Sequence, residues 1–308
     1  MHKVRNASNA ALVGMALGFA IVVAYLPGGY DALMFYLRPL FPESTAPAWI
    51  YLVTAPLSKL PWPLGWQVLV FVTILSAGIA SRVWGNTRWW LGACSAPMVW
   101  TIWLGQIEVF PLMGVVVGGL VLQRKINSTW LGIACLALMT KPQVGYGILL
   151  FFTYRTLSDK DLGLQALLKA LIPIAGVLVL TVLIWPEWPL NWLRTLSEFQ
   201  PTWWNAAVWP YGLLGWPVAL VAARRANTLQ SVRMFSAASL LGSPYFALYH
   251  CVTCLSLAHN PLGMVLSWAI IAAGWILSVN WMHWGWLVPA VVLLVDAAVI
   301  YRARPTTR

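Results

Sequence analysis

Long apolar runs recur from one end of the chain to the other, near residues 10–26, 64–84, 89–104, 109–123, 129–140, 143–155, 166–186, 210–223, 230–242, 245–258, 262–278 and 284–301. They do not alternate polar with apolar, as barrel strands do. The backbone they imply is α-helical, because in lipid only helices and closed barrels satisfy every amide and carbonyl. Of 308 residues, 60% are hydrophobic and 9% charged, too few polar groups to coat a soluble domain of this size. The expected fold is therefore an all-α polytopic membrane protein with about twelve crossings, forming one integral-membrane domain over residues 1–308. Several runs fall short of the ~20 residues of a full crossing, which is tolerated where a segment is buried in protein. Residues 129–155 read as two half-buried helices broken at Lys141-Pro142.

Basic residues orient this topology. With the N-terminus in the cytoplasm, fifteen of the nineteen Lys and Arg fall on the inner side, and only Arg38, Lys59, Lys141 and Arg194 fall outside. Both termini are then cytoplasmic, with residues 302–308 as a short tail, in a bacterial-type cytoplasmic membrane. The net charge of +11 reads as inner-leaflet anchoring rather than as a nucleic-acid surface. Asp31, Glu43, Glu108, Glu187 and Glu198 fall on the outer side, whereas Asp159, Asp161 and Asp296 fall inside or near the inner end. Carboxylates thus gather where cations are scarce, which marks the outer face as the working side. Twenty-one tryptophans, many beside predicted helix ends, fit aromatic belts at the two interfaces. The first run lacks a small-x-small cleavage site before Pro27-Gly28-Gly29 and is expected to be a retained helix. Cys94, Cys135, Cys251 and Cys254 lie in apolar runs and read as small core residues, Cys251 and Cys254 included despite their redox-like spacing.

Residues 28–63 form an outer loop too apolar for a free linker, with Leu33, Met34, Tyr36 and Leu37 and then Trp49, Ile50, Leu52 and Val53 suggesting two short interfacial helices. Asp31 opens this loop. Two roles fit it: a base that takes a proton from an attacking hydroxyl, or the cap of a short helix beginning at Ala32. Lys141 stands between two short runs at outer-leaflet depth, where a cation needs a counter-charge; a ligand phosphate or Glu108 would serve. Gln106 and Glu108 at an outer turn suit hydrogen bonds to sugar hydroxyls, or plain solvation. His250 suits phosphate binding or proton relay, or a satisfied structural position. Arg38 suits phosphate binding or headgroup anchoring.

The order of these features resembles the integral-membrane GT-C glycosyltransferases. One helix, an outer loop with an early aspartate, Ala46-Pro47-Ala48-Trp49-Ile50 and Ala55-Pro56-Leu57-Ser58-Lys59-Leu60-Pro61 precede a long second helix. Gly105-Gln106-Ile107-Glu108, Lys141-Pro142-Gln143 and Ser243-Pro244 followed by His250 then resemble glycosyltransferase family 87, across roughly residues 10–260. That family comprises polyprenyl-phosphate-dependent mannosyltransferases and their relatives. The resemblance implies transfer of mannose or another hexose from a polyprenyl-phosphate donor to a lipid, glycan or protein acceptor on the outer face. Asp31 matches the family's candidate base, with Lys141, His250, Gln106, Glu108 and Arg38 as donor or substrate contacts. Two departures stand out: Glu108 where the family commonly has Asn, and Tyr245-Phe246-Ala247-Leu248-Tyr249 where it is commonly Trp- and Asp-rich. They leave open a non-catalytic membrane subunit or pseudoenzyme of a larger complex. A transporter would need polar residues through the full membrane depth, which the apolar inner halves do not provide. No metal-ligand cluster, Walker A or GxGxxG motif occurs, so the expected co-substrate is the lipid-linked sugar alone, with membrane lipids as surroundings. Nothing in the residues specifies a protein partner or an oligomeric state.

Overall fold

The computed structural model describes residues 2–39, 44, 46–200, 203–278 and 280–302. Leu40, Pro42, Glu43 and Thr45 of the outer loop and Arg304 and Arg308 of the tail lie outside the described residues, as do the side chains of Lys3 and Arg5. Among the described residues the chain is helical, without strands. The helices are α1 (His2–Val23), α2 (Trp49–Ser58), α3 (Leu64–Val83), α4 (Trp90–Ala93), α5 (Ala96–Leu104), α6 (Val109–Leu122), α7 (Trp130–Leu138) and α8 (Pro142–Ser158). They continue with α9 (Gly163–Ile184), α10 (Trp188–Glu198), α11 (Gly215–Ala223), α12 (Thr228–Leu241), α13 (Val252–Leu257), α14 (Leu262–Leu277) and α15 (Leu287–Arg302).

Three helical stretches are long and apolar enough to cross a membrane: Leu64–Val83, Gly163–Ile184 and Trp281–Arg302. Shorter apolar helices such as Ala7–Val23, Val109–Leu122 and Leu262–Leu277 surround them. The expectation of about twelve crossings therefore exceeds what helix length and composition support directly, because α5, α7, α11 and α13 are cut short by prolines, glycines and turns. α9 shows why such a chain needs an apolar environment. Only a small part of it is buried, and Leu171, Ile172 and Leu183 are 55%, 66% and 74% exposed, a surface that water would not tolerate but lipid would.

Two apolar cores hold the helices together. One joins α1, α3, α6, α7 and α8 around Ile74, Leu112, Leu131 and Phe152; the other joins α11 to α15 around Met234, Leu240, Leu255 and Val288. α12 contributes to both and packs on α8, α11 and α15. Its start is legible in the sequence, because the Asn227 side chain accepts from Gln230 N at 2.9 Å while the Gln230 side chain accepts from Asn227 N at 2.9 Å.

The expected break at Lys141-Pro142 is present. α7 ends at Leu138, Pro142 takes the first position of α8, and Lys141 between them is non-helical, with φ −134° and ψ 84°, as a residue before proline prefers. The outer loop holds one true helix, α2, and at Ala32–Tyr36 a single π-turn rather than a second helix. Residues 245–258 also depart from the single helix expected there. α12 stops at Leu241, Ser243-Pro244 starts an irregular stretch, and His250 sits in a 3₁₀ turn, Leu248–Cys251, before α13. Helix geometry defines two ends of the body: α6 and α8 both begin near Glu108 and Lys141 and both finish near Arg124 and Asp159, which pair at 2.9 Å.

Candidate functional site

The site is assembled by two glycines. Gly29 adopts φ +71°, and a Cβ there would lie 2.6 Å from the Trp66 ring; Gly105 adopts φ +75°, and a Cβ there would lie 2.6 Å from that of Ala32. Only glycine suits a left-handed position with such neighbours. The close approach lets Gly29 N donate to Trp103 O at 2.7 Å, which stitches the loop carrying Asp31 to the end of α5. Gly105 closes α5 as its left-handed cap and turns the chain so that Gln106 follows directly.

From there a hydrogen-bonded chain runs inward. Gln106 Nε2 donates to Asp31 Oδ2. Gln106 Oε1 accepts from Lys141 Nζ at 2.6 Å and from the Tyr36 hydroxyl at 3.3 Å. Lys141 Nζ lies 2.8 Å from Glu108 Oε1 and 4.6 Å from the centroid of the Tyr249 ring, over which it sits. His250 Nε2 is 3.9 Å from the same Glu108 oxygen and 2.9 Å from the Gln143 side-chain amide. The contact at Gln143 is made by its amide nitrogen, and His250 Nδ1 lies 2.8 Å from Ala247 N and 3.2 Å from Ala247 O.

The Asp31 side chain does not cap the π-turn that follows it; it is committed to Gln106. Burial pushes the Asp31 carboxyl above its ordinary range, and the Lys141 charge and the Gln106 hydrogen bond pull it back part of the way. Glu108 is fully buried, and its Oε2 has no hydrogen-bond partner among the described residues. Of the two readings open for Lys141, the counter-charge present is thus Glu108. A charge buried in this way survives only when paired, and Lys141 and Glu108 do that for each other.

Beside the chain lies a cavity of about 510 Å³. Gln106, Lys141, Gln143, His250 and Ser243 line one part of it; Tyr36, Tyr245 and Tyr249 supply aromatic faces; and Trp192, Leu196 and Phe199 from and just after α10 supply apolar wall. Asp31 and Glu108 are not on the wall and reach it through Gln106 and Lys141. α10 is anchored by Trp188 and Trp192, whose rings pack 5.9 Å and 6.2 Å from that of Trp49 in α2.

Asp31, Gln106, Glu108, Lys141 and His250, far apart in sequence, are therefore brought together. Arg38 is not: it bonds Met34 O at 3.1 Å, is exposed, and does not line the cavity. Sequence reasoning overlooked Gln143, Tyr36 and Tyr249 as members of the cluster. Gln143 carried a usable signal, since it is two residues after Lys141 at the first turn of α8. Tyr249 carried none, because a tyrosine next to a histidine in an apolar run has no pattern that distinguishes it. Among the described residues no group of His, Cys, Asp and Glu is arranged to hold a metal ion. Comparison of the chain with protein-family models, curated proteins and solved structures gives no match.

Proposed function

We propose that the protein is an integral-membrane glycosyltransferase of GT-C type, which moves a hexose such as mannose from a polyprenyl-phosphate donor to an acceptor hydroxyl of a lipid, glycan or protein outside the membrane. In this reading twelve helical passes alternate between the two ends of the body, both termini are cytoplasmic, and the end carrying Lys141 faces out. The observation that carries the proposal is the Asp31–Gln106–Lys141–Glu108 chain beside a cavity with one polar, one aromatic and one apolar wall. Aromatic faces suit the apolar side of a sugar ring, and the α10 wall suits an isoprenoid chain.

In the transfer step the acceptor oxygen bonds to the anomeric carbon while its proton passes to the Asp31 carboxylate, which is half-buried just behind Gln106, off the cavity wall. The bond from the anomeric carbon to the donor phosphate oxygen breaks, and its electron pair leaves with polyprenyl phosphate. Lys141 and the His250 imidazole meet the charge that develops on that phosphate. Gln106 fixes Asp31 in relation to Lys141, and Glu108 is the counter-charge that Lys141 faces while the cavity is empty. The test is transfer in proteoliposomes from a polyprenyl-phosphate sugar by the wild type, Asp31→Asn and Asp31→Ala. Undiminished transfer by either variant removes Asp31 from the reaction.

A second reading, a non-catalytic membrane subunit, draws on the internal closure of the same network, in which Asp31 and Lys141 are already engaged by Gln106 and Glu108. It predicts co-purification in a fixed complex that Asp31→Asn leaves intact, with no lipid-linked sugar retained.

A further inference from the structure

A second cavity, of about 370 Å³, lies at the opposite end of the body, where α3, α6 and α8 finish and α12 starts. Trp84, Gln123, Arg155, Asp159, Asn227 and Thr228 are on its wall. Its wall carries one cation, Arg155, and one carboxylate, Asp159. Asp159 is already engaged on both oxygens: Arg124, which also meets Asp161 Oδ2 at 2.5 Å, reaches them at 2.9 Å and 3.1 Å, and the amides of Asp161 and Leu162 donate to Oδ1 at 2.9 Å and 3.3 Å. Arg155, by contrast, has no hydrogen bond or ion pair to any described residue. Arg82 is held by Ser8 and Asn9, Arg88 by the His259 carbonyl and Arg225 over the Tyr301 ring. The cavity therefore carries one guanidinium without a partner among the described residues. Beside it are the Thr228 hydroxyl and the Asn227 amide nitrogen, whose partner oxygen is used to cap α12.

We propose that this cavity binds a phosphate anion, with the Arg155 guanidinium as the charged donor and Asn227 and Thr228 as neutral ones. A planar guanidinium fork matches phosphate oxygens, and pockets between helices on the basic side of a membrane protein take anionic headgroups. Arg124 has a part in this site, because it occupies both oxygens of Asp159, the carboxylate on the wall, and so turns them away from the ligand. Trp84, Leu122 and Leu229 add apolar wall on which the glycerol and first methylenes of a lipid would rest.

The test uses the full chain in non-ionic detergent, with native mass spectrometry and thermal unfolding. Its probes are phosphatidylglycerol, phosphatidylcholine and inorganic phosphate. A saturable bound mass and a raised Tm with phosphatidylglycerol alone assign the phosphate to a lipid; the same response to inorganic phosphate assigns it to a soluble source. Arg155→Ala is expected to weaken binding about tenfold or more, the scale of one hydrogen-bonded charge lost. Arg155→Lys keeps part of it, and Arg124→Ala weakens it by exposing Asp159. Asp31→Asn leaves it unchanged, which separates this site from the transfer reaction. Binding that is equal in wild type and a folded Arg155→Gln protein, or that does not distinguish phosphatidylglycerol from phosphatidylcholine, or that is absent with every probe, overturns the proposal.

Discussion

Two buried ion pairs have nearly the same geometry and different surroundings. Lys141 Nζ is 2.8 Å from Glu108 Oε1 and Arg233 Nε is 2.9 Å from Asp296 Oδ2, with all four side chains less than a tenth exposed. Lys141 and Glu108 stand at helix starts, beside a proline break and a glycine turn, so the gap left by the broken helices becomes a cavity next to them. Arg233 and Asp296 stand inside α12 and α15, where the helices pack directly, and only a void of about 10 Å³ borders Asp296. A charge pair at interrupted helix ends can meet a ligand, whereas the same pair between continuous helices can only join them. Position on the helix, more than the chemistry of the pair, separates the two.

The largest expected effect tests the first pair's neighbourhood. Asp31→Asn should cut transfer by about 10²–10⁴-fold, the usual contribution of a positioned base, with little change in unfolding temperature. The second pair should answer in the opposite currency. Arg233→Ala, which leaves Asp296 buried and unpaired, should cost about 3–5 kcal/mol of stability in an unfolding titration. Replacing both partners, Arg233→Met with Asp296→Leu, should restore most of that loss. Lys141→Met with Glu108→Leu should likewise stay folded but abolish transfer. If the two double variants behave alike in both assays, the comparison fails.

Acidity gives a smaller effect with a defined sign. Burial raises the Asp31 carboxyl, so the neutral acid is the form the fold prefers. Its stabilising contribution is complete below the ordinary carboxylate pKa of about 3.9 and is lost as the pH rises through the raised value. Transfer needs the carboxylate and rises through the same window. Parallel pH profiles of kcat/KM and Tm should therefore slope in opposite directions for the wild type, and Asp31→Asn should flatten this contribution to both. The smallest effect belongs to Arg38→Ala, expected to change transfer by less than about twofold, since Arg38 is exposed and away from the cavity. A larger loss would extend the site into the interfacial loop.

Much of the local structure was legible in residue order. Pro142 announces the start of α8, Asn227 and Gln230 announce α12, and Gly105 announces the end of α5, because each acts through its own backbone or its nearest neighbours. Residues 243–251 were not legible in this way. Their apolar composition suits a helix, and only the packing of the 3₁₀ turn Leu248–Cys251 against α5 and the link of Phe246 O to Ala206 N, at 2.7 Å, explain why the chain stays irregular there. The charges were half legible. The sequence placed Lys141 at a break and Asp31 at a helix end, yet counted Arg233 as a surface anchor although it is buried against Asp296.

The amino-acid order alone determined an apolar helical chain and some of the points where its helices break, as at Lys141-Pro142 and Gly105, because hydropathy, proline and glycine act locally. Only the tertiary structure decided that residues 31, 106, 108, 141 and 250 meet, and that Glu108 rather than solvent faces Lys141. It likewise decided that Arg155 stands beside a cavity without a hydrogen-bond or ion-pair partner among the described residues. Those outcomes depend on which helix packs on which, and a side chain's partner across such a contact is set by shape and burial over distances that no local pattern in the chain encodes.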